Sequence, residues 1–188
     1  MRVNLDRYSV TRSARRLANR NQDLDAVVHR ASPDLESYRL YKRHKTRFDS
    51  SEPASSDSFE SYANSFYSPY GARWAISLRG QGRLLSRIHL DITERAASAI
   101  YCYYDDSKPE RSLGTFSINL AIDLAKRRGC RHLYLGYFIR ENHSMRYKIR
   151  FHPIEVLDHG RWISVANSSV DIDPVLTRSE GPWSRHRP

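Results

Sequence analysis

Cysteine is scarce in this sequence. The 188 residues include two cysteines, Cys102 and Cys130, and neither lies in the short-spaced pattern of a redox motif or a zinc site. This argues against a disulfide framework and against a cysteine-based metal site, so we expect no metal and no resident cofactor. So few cysteines also suit a reducing compartment.

Long apolar runs are absent as well. No stretch approaches the ~20 apolar residues that a membrane span requires. The N-terminal segment MRVNLDRYSV lacks the apolar core of a signal peptide. The sequence therefore predicts a cytoplasmic protein with no membrane partner. Its 188 residues suffice for one domain with a sizeable core.

Positive charge, by contrast, is plentiful. The formal net charge is +10, and arginines and lysines concentrate at 12–20 and 39–47. A basic balance of this size favours a polyanionic partner, with nucleic acid as the first candidate. Two alternatives stay open at this point. One is a solvated basic surface, and the other, for residues 1–31, is a flexible basic arm with a short edge strand near Val3 and Leu5.

Hydrophobic periodicity predicts an α+β order of elements. Beyond position 31 the predicted elements are helices beginning near Ser32 and Phe59, strands at 74–78, 84–92 and 97–104, a helix after Thr115, and a strand at 130–139. We expect a mainly antiparallel sheet flanked by helices. The predicted division is a basic arm or short strand at 1–31, a domain at 32–167 and a polar tail at 168–188.

The centre of the sequence is the segment Arg111-Ser112-Leu113-Gly114-Thr115, between an aromatic strand and an amphipathic helix. Ser112 suits the N-cap of that helix. The unpaired N–H groups and the dipole at a helix start both favour a bound anion. The segment therefore predicts an anion site, with Arg111 beside it.

This order of elements resembles the GNAT acetyltransferase superfamily, which implies a GNAT-like fold. In that superfamily an Arg/Gln-x-x-Gly-x-Gly/Ala loop binds the pyrophosphate of coenzyme A. Here Arg111 and Gly114 fit the pattern, but Phe116 occupies the third small position. Since a bulky side chain there would obstruct close approach of a phosphate to the backbone, we expect that coenzyme A is not the donor.

A sharper resemblance covers roughly residues 9–162. The chain is similar to the C-terminal part of the arginyl-tRNA–protein transferases and their bacterial leucyl-transferring relatives, which attach an amino acid from charged tRNA to a protein N-terminus. The segments that carry the resemblance are Ser98–Tyr101, Tyr104-Asp105, Arg111–Thr115, Tyr134–Tyr137, Met145–Lys148, Pro153, Glu155, Trp162 and, upstream, Asp91. The resemblance implies an aminoacyl-tRNA-dependent aminoacyltransferase of arginine or leucine, with tRNA as partner and charged tRNA as co-substrate.

The chemistry of such a transfer assigns roles to these residues. An aminoacyl-tRNA is an activated ester, so its acyl group can pass directly to an amine once both are oriented and the oxyanion is stabilised. We expect Asp91, Asp105 and Arg111 to be catalytic. We expect the aminoacyl-tRNA to be bound by Tyr101, Ser112, Leu113, Gly114, Thr115, Tyr134, Gly136, Tyr137, Tyr147 and Lys148.

The chain also departs from the family pattern. The family's N-terminal cysteine cluster has no counterpart here, and Asn142 and Ser144 stand where the family usually has cysteine and lysine. We therefore expect the acceptor to be a small amine or peptide in a biosynthetic pathway, rather than a protein N-terminus. A partner chain that supplies the missing region is an alternative. Two other functions stay open: an acyl-coenzyme A N-acyltransferase, and a tRNA-binding module without catalysis.

Overall fold

The computed structural model describes residues 1–46, 58–67, 73–138 and 143–165. The predicted tail at 168–188 lies outside the described residues, as do Ile139 and Asn142. The side chains of His143, Ser144 and Arg146 also lie outside this description.

Eight strands form one sheet in the order β2-β3-β4-β5-β6-β1-β7-β8. The strands are β1 (Arg2–Asn4), β2 (Asp25–Arg30), β3 (Arg73–Gly80), β4 (Arg83–Ile92), β5 (Ala96–Tyr104), β6 (His132–Tyr134), β7 (Ile154–Asp158) and β8 (Arg161–Val165). Only the β5–β6 pair among them is parallel. This confirms the prediction of a mainly antiparallel α+β sheet.

Four α-helices accompany the sheet in the described part of the chain. They are α1 (Arg12–Arg20), α2 (Leu35–Lys45), α3 (Phe59–Phe66) and α4 (Leu113–Arg127), with 3-10 helices at Pro109–Arg111 and His143–Arg150. Helix α2 begins later than predicted, because Asp34 rather than Ser32 is its N-cap and accepts a hydrogen bond from the Ser37 N–H. The Arg-rich segment is helical, with Thr11 as N-cap.

Strand β1 lies inside the sheet. It pairs with β6 on one side and β7 on the other, and Val3 is fully buried. The expectation of an edge strand near Val3 is wrong, because a three-residue strand carries too little alternation to reveal whether one or both of its edges are paired. Residues 1–31 thus contribute β1 and β2 to the same sheet as the rest of the chain.

The two faces of the sheet are covered differently. Helix α4 packs Ile118, Ala121 and Ile122 onto an aliphatic cluster that includes Ile88 and Leu133. Helices α2 and α3 cover an aromatic cluster in which Tyr62, Phe66 and Tyr103 are buried. A register shift opposite His89 and Leu90 leaves Ile100 as an extra residue of β5. This bulge turns Tyr101 and Tyr103 toward the aromatic cluster and Cys102 toward the aliphatic one.

Strands β5 and β6 pair over three positions, ending at Ser98 and Tyr134. Beyond that point they separate, and the second half of β5 remains paired with β4 but has no strand partner on its β6 side within the described residues. Within the described ranges, no helix has the length and apolarity that crossing a membrane would require.

Candidate active site

A cavity of about 640 Å³ occupies the gap where β5 and β6 separate. The start of α4 and the 3-10 helix at His143–Arg150 both contribute to its wall. The cavity is lined by His44, Ile88, Ala99, Ile100, Tyr101, Cys102, Tyr104, Asp105, Asp106, Lys108, Pro109, Ser112, Leu113, Gly114, Thr115, Ile118, Leu135, Met145, Tyr147 and Lys148. Its inner wall is largely apolar, and its charged residues lie in the segment that follows β5 and in the 3-10 helix at His143–Arg150.

The start of α4 offers hydrogen-bond donors to this cavity. Ser112 is the N-cap in a left-handed conformation with φ 46°, and its side chain makes no capping hydrogen bond. The first intrahelical bond is donated by the Phe116 N–H to the Ser112 carbonyl. The N–H groups of Leu113, Gly114 and Thr115 precede it and have no acceptor within the helix. This end of α4 therefore suits a phosphate or a developing oxyanion.

Gly114 is required by the close approach of Tyr104. A Cβ atom at position 114 would lie 2.7 Å from Cε1 of the Tyr104 ring. That ring packs on His44 with centroids 4.6 Å apart, so it cannot move without disturbing α2. The first turn of α4 and the end of β5 are thus held against each other at the cavity wall.

We expect Gly114→Ala to lower the free energy of unfolding by about 1 kcal/mol, because the added methyl group overpacks this contact. Urea titration of the variant measures the change. The double variant Gly114→Ala/Tyr104→Leu should recover part of the loss, since the smaller side chain makes room. A loss equal to the sum of the two single variants would contradict the proposed contact.

Asp105 lies at the cavity mouth and is ion-paired. Its carboxylate accepts from the Arg43 guanidinium at 3.0 Å and from the Ser107 N–H at 3.0 Å. Burial alone would raise the pKa of Asp105, but the bonds from Ser107 and the charges of Arg43 and Arg83 outweigh it and lower the pKa below its ordinary value. Asp105 is therefore a carboxylate at neutral pH, and it attaches α2 to the site.

Lys148 and Tyr147 face the cavity from the 3-10 helix at His143–Arg150. The Lys148 ammonium donates to the Tyr137 carbonyl at 2.7 Å, and burial lowers its pKa. Burial also raises the pKa of Tyr147 to about 12. The half-buried Lys148 thus adds a positive charge to the cavity that the positive end of the α4 dipole also lines.

Cys102 is the thiol of this cavity, and it is not poised as a nucleophile. Burial raises its pKa to about 11, so the thiol stays protonated at neutral pH. Its sulfur lies 3.9 Å from the Ser86 hydroxyl oxygen. The cavity therefore gains no activated nucleophile from this thiol.

The structure brings many of the predicted site residues together in the cavity. These are Tyr101, Asp105, Ser112, Leu113, Gly114, Thr115, Tyr147 and Lys148. Sequence reasoning missed His44, which reaches the cavity from α2 and places its Nδ1 3.3 Å from the Tyr104 backbone nitrogen and 3.2 Å from the Tyr104 carbonyl oxygen, so that it bonds one or the other according to its tautomer. No local pattern identifies such a residue, because it comes from an element 60 positions away.

The remaining predicted residues lie outside the lining of this cavity. Arg111 makes two hydrogen bonds to Asp23, of 2.9 and 2.8 Å. Asp91 accepts two from Arg73, of 2.7 and 2.9 Å. Each pair is a two-point ion pair that fixes one element against another.

Tyr134, Gly136 and Tyr137 are placed around the end of β6. Tyr134 packs edge-on against Trp162, with centroids 5.7 Å apart. Gly136 has φ 75° and accepts a hydrogen bond from the Met1 amine. The side chain of Tyr137 is largely exposed, while its carbonyl holds Lys148.

Phe116 does not obstruct the cavity. Its side chain is buried with Leu78 and Leu113 on the sheet side of α4. The steric reason for excluding coenzyme A therefore does not hold, because the Phe116 side chain at the third position of the motif faces the core rather than the cavity.

Comparison with known proteins places this geometry in a family. The C-terminal region of the arginine-tRNA-protein transferases matches residues 36–158. An aspartate/glutamate leucyltransferase of Stenotrophomonas maltophilia is 33% identical over 168 residues, which are 86% of this chain and 67% of that protein. The enzyme of the same name from Marinobacter nauticus is 35% identical over 86% of this chain and 68% of its own length. The chain thus spans about two thirds of these relatives.

Solved structures show the fold. A C-terminal domain described as that of a lysylphosphatidylglycerol synthetase from Agrobacterium fabrum superposes with a TM-score of 0.62 at 16% identity, covering 94% of this chain and 62% of that one. The GCN5-related N-acetyltransferase region of a fungal multi-domain glucosaminidase gives a TM-score of 0.54 at 15% identity, over 80% of this chain and 18% of that one. The GNAT-like fold is confirmed. With the sequence matches above, the chain belongs to the arginine-tRNA–protein transferase family, a family of aminoacyl-tRNA-dependent transferases.

Proposed function

We propose that this chain transfers leucine from leucyl-tRNA to an amine. The observation that carries the proposal is an apolar inner wall that adjoins the N–H groups at the start of α4. Ile88, Ile118 and Leu135 line that wall, and they suit an aliphatic side chain. An arginyl side chain would need a carboxylate among these residues, whereas the two acids of the lining, Asp105 and Asp106, follow the end of β5. The names of the two relatives point the same way.

The proposed reaction needs no covalent enzyme intermediate. The acceptor nitrogen attacks the ester carbonyl, a C–N bond forms, and the C–O bond to the terminal ribose breaks. The N–H groups at the start of α4 and the Lys148 ammonium stabilise negative charge on the carbonyl oxygen or a phosphate. Asp105 attracts the acceptor as an ammonium and favours its approach. The acceptor ammonium loses two protons in all: one passes to water before the neutral amine attacks, and the second is lost after attack and is balanced by the proton that the leaving ribose oxygen gains.

For the acceptor we propose a small amine or a peptide. A cavity of about 640 Å³ has the volume of a small-molecule site. The loop substitutions Asn142 and Ser144 also support a changed acceptor, although Asn142 and the Ser144 side chain lie outside the described residues. A protein N-terminus beginning with Asp or Glu is the alternative that the relatives' names suggest.

The donor is tested by offering leucyl-tRNA, arginyl-tRNA and acetyl-coenzyme A separately, with a mixture of amino acids and short peptides as acceptors. We expect loss of the leucyl ester at least tenfold faster than loss of the arginyl ester, with a matching leucylated product. Faster use of arginyl-tRNA would overturn the choice of leucine. Acyl transfer from acetyl-coenzyme A would favour the N-acyltransferase alternative, and tRNA binding without ester loss would favour the non-catalytic one.

The acceptor is resolved in the same assay by two further arms. A reporter protein beginning with Asp or Glu is compared with the same reporter beginning with Ser. Efficient leucylation of the acidic reporter by this chain alone would refute the small-acceptor proposal while leaving the donor proposal intact.

A further inference from the structure

A second groove adjoins the active-site cavity across the start of α4. It has a volume of about 290 Å³ and lies between α1 and the segment that carries Arg150. Ser112 and Thr115 line both spaces. The groove therefore leads directly to the N–H groups at the start of α4.

Helix α1 presents a row of arginines along this groove. Arg12, Arg16 and Arg20 recur every four residues, so they share one face and are spaced by about 6 Å along the axis. Arg16 and Arg20 line the groove, and Arg150 lines it from the other side. In the described ranges, Arg12, Arg15 and Arg16 are exposed and have no acidic partner.

The other basic helix is different. In α2, Arg43 is paired with Asp105, Lys42 lies over the Tyr38 ring, and Lys45 also interacts with another group of the protein. Much of its charge is thus used within the fold. The charge of α1 is directed outward instead.

Helix α1 is also fixed to the active site. The Asn21 side chain donates to the Arg111 carbonyl at 3.0 Å, and Arg20 donates to the Glu110 carbonyl at 2.5 Å. The Arg111–Asp23 ion pair closes the same junction. These contacts join the end of α1 to the loop that precedes α4. A ligand bound along α1 therefore has a fixed position relative to the cavity.

We infer that the groove beside α1 binds the phosphates of the 3′-terminal nucleotides of tRNA and directs the terminal ester past Ser112 and Thr115 into the cavity. The inference rests on the proposed function and adds the route of the donor. Evenly spaced guanidinium groups on the exposed side of α1 match the repeating phosphates of a nucleic-acid backbone. Arg111 acts here as a positioning residue that holds the junction.

The test removes charge from α1 without touching the cavity. Arg12→Gln/Arg16→Gln is compared with Arg95→Gln, an exposed arginine in the turn before β5, at the opposite end of that strand from the cavity. Binding of uncharged tRNA is measured between 50 and 200 mM salt, and leucyl transfer is measured as a function of leucyl-tRNA concentration. Circular dichroism checks the fold of each variant.

We expect the α1 double variant to bind tRNA at least tenfold more weakly at the lower salt concentration. The slope of the logarithm of the binding constant against the logarithm of the salt concentration should be smaller in magnitude by about 2, which is about one unit for each lost phosphate contact. Its loss of transfer should lie in KM rather than kcat, and Arg95→Gln should match the parent. Parental affinity and slope in the folded double variant would overturn the inference while leucyl transfer by the parent still upheld the proposed function. Absence of transfer by the parent would instead refute the function itself.

Discussion

Replacing Lys148 with alanine is expected to lower the rate of aminoacyl transfer by about 10²- to 10³-fold. Lys148 lines the same cavity as the start of α4, and burial lowers its pKa. Its ammonium is the donor best placed to stabilise a phosphate or an oxyanion from that side. Single-turnover kinetics with saturating leucyl-tRNA measure the chemical step directly.

The controls for Lys148 separate charge from packing. Lys148 also donates to the Tyr137 carbonyl, so its removal can loosen the loop after β6. Lys148→Met keeps most of the side-chain volume and removes the charge, and we expect it to be as slow as the alanine variant. A Lys148→Met enzyme that is folded and transfers at the parental rate would exclude this role for the ammonium.

The second large effect concerns stability in acid. We expect the free energy of unfolding to fall by about 3 kcal/mol between pH 7 and pH 4 through His89 alone. His89 is fully buried, its Nε2 lies 3.1 Å from the Tyr103 hydroxyl, and its ring stacks on Phe66. Burial, followed by the charges of Arg87 and Arg73, lowers its pKa to about 3.

The direction of this pH effect follows from the protons bound by the folded and the unfolded states. The folded pKa of His89 is depressed, so above the unfolded value of about 6.5 neither state is protonated and the stability is complete. As the pH falls below that value the unfolded state binds a proton that the folded state refuses, and stability is lost toward pH 3. Urea titrations at several pH values should show a shallower decline for His89→Gln than for the parent.

A matched variant isolates this histidine from the others. Burial also lowers the pKa of His132, which is partly exposed, so His132→Gln should keep most of the parental decline. Equal slopes for the parent and His89→Gln would show that acid lability arises elsewhere, for example at the Asp34–Arg87 ion pair.

Periodicity in the sequence predicted the elements that build the site. The alternation of β3 and β4, the aromatic composition of β5 and the apolar face of α4 are local patterns, and the structure has these elements close to the predicted positions. The segment Arg111–Thr115 does open α4 at a cavity, as its composition indicated. These features were predictable because neighbours along the chain determine them.

Other features depend on residues far apart in the chain. Arg111 looked free to bind an anion, yet it is paired with Asp23, 88 positions away. Asp91 is paired with Arg73 across the β3–β4 ladder. The Ile100 bulge, which decides the direction of every β5 side chain after it, leaves no sign in the sequence because Ala97 to Tyr104 is apolar or aromatic at nearly every position.

The interior position of β1 bears on how the chain is made. Arg2 pairs with Tyr134 on one side and with Glu155 on the other. At 5–20 residues per second a ribosome needs on the order of ten seconds to extend from the first of these positions to the last. For most of that interval neither of the strands that flank the Val3 segment has been synthesised, and β7 is made only at its end. We expect the nascent chain to complete its sheet only late in translation, with β2 to β5 assembled first and β1 inserted as the closing strand.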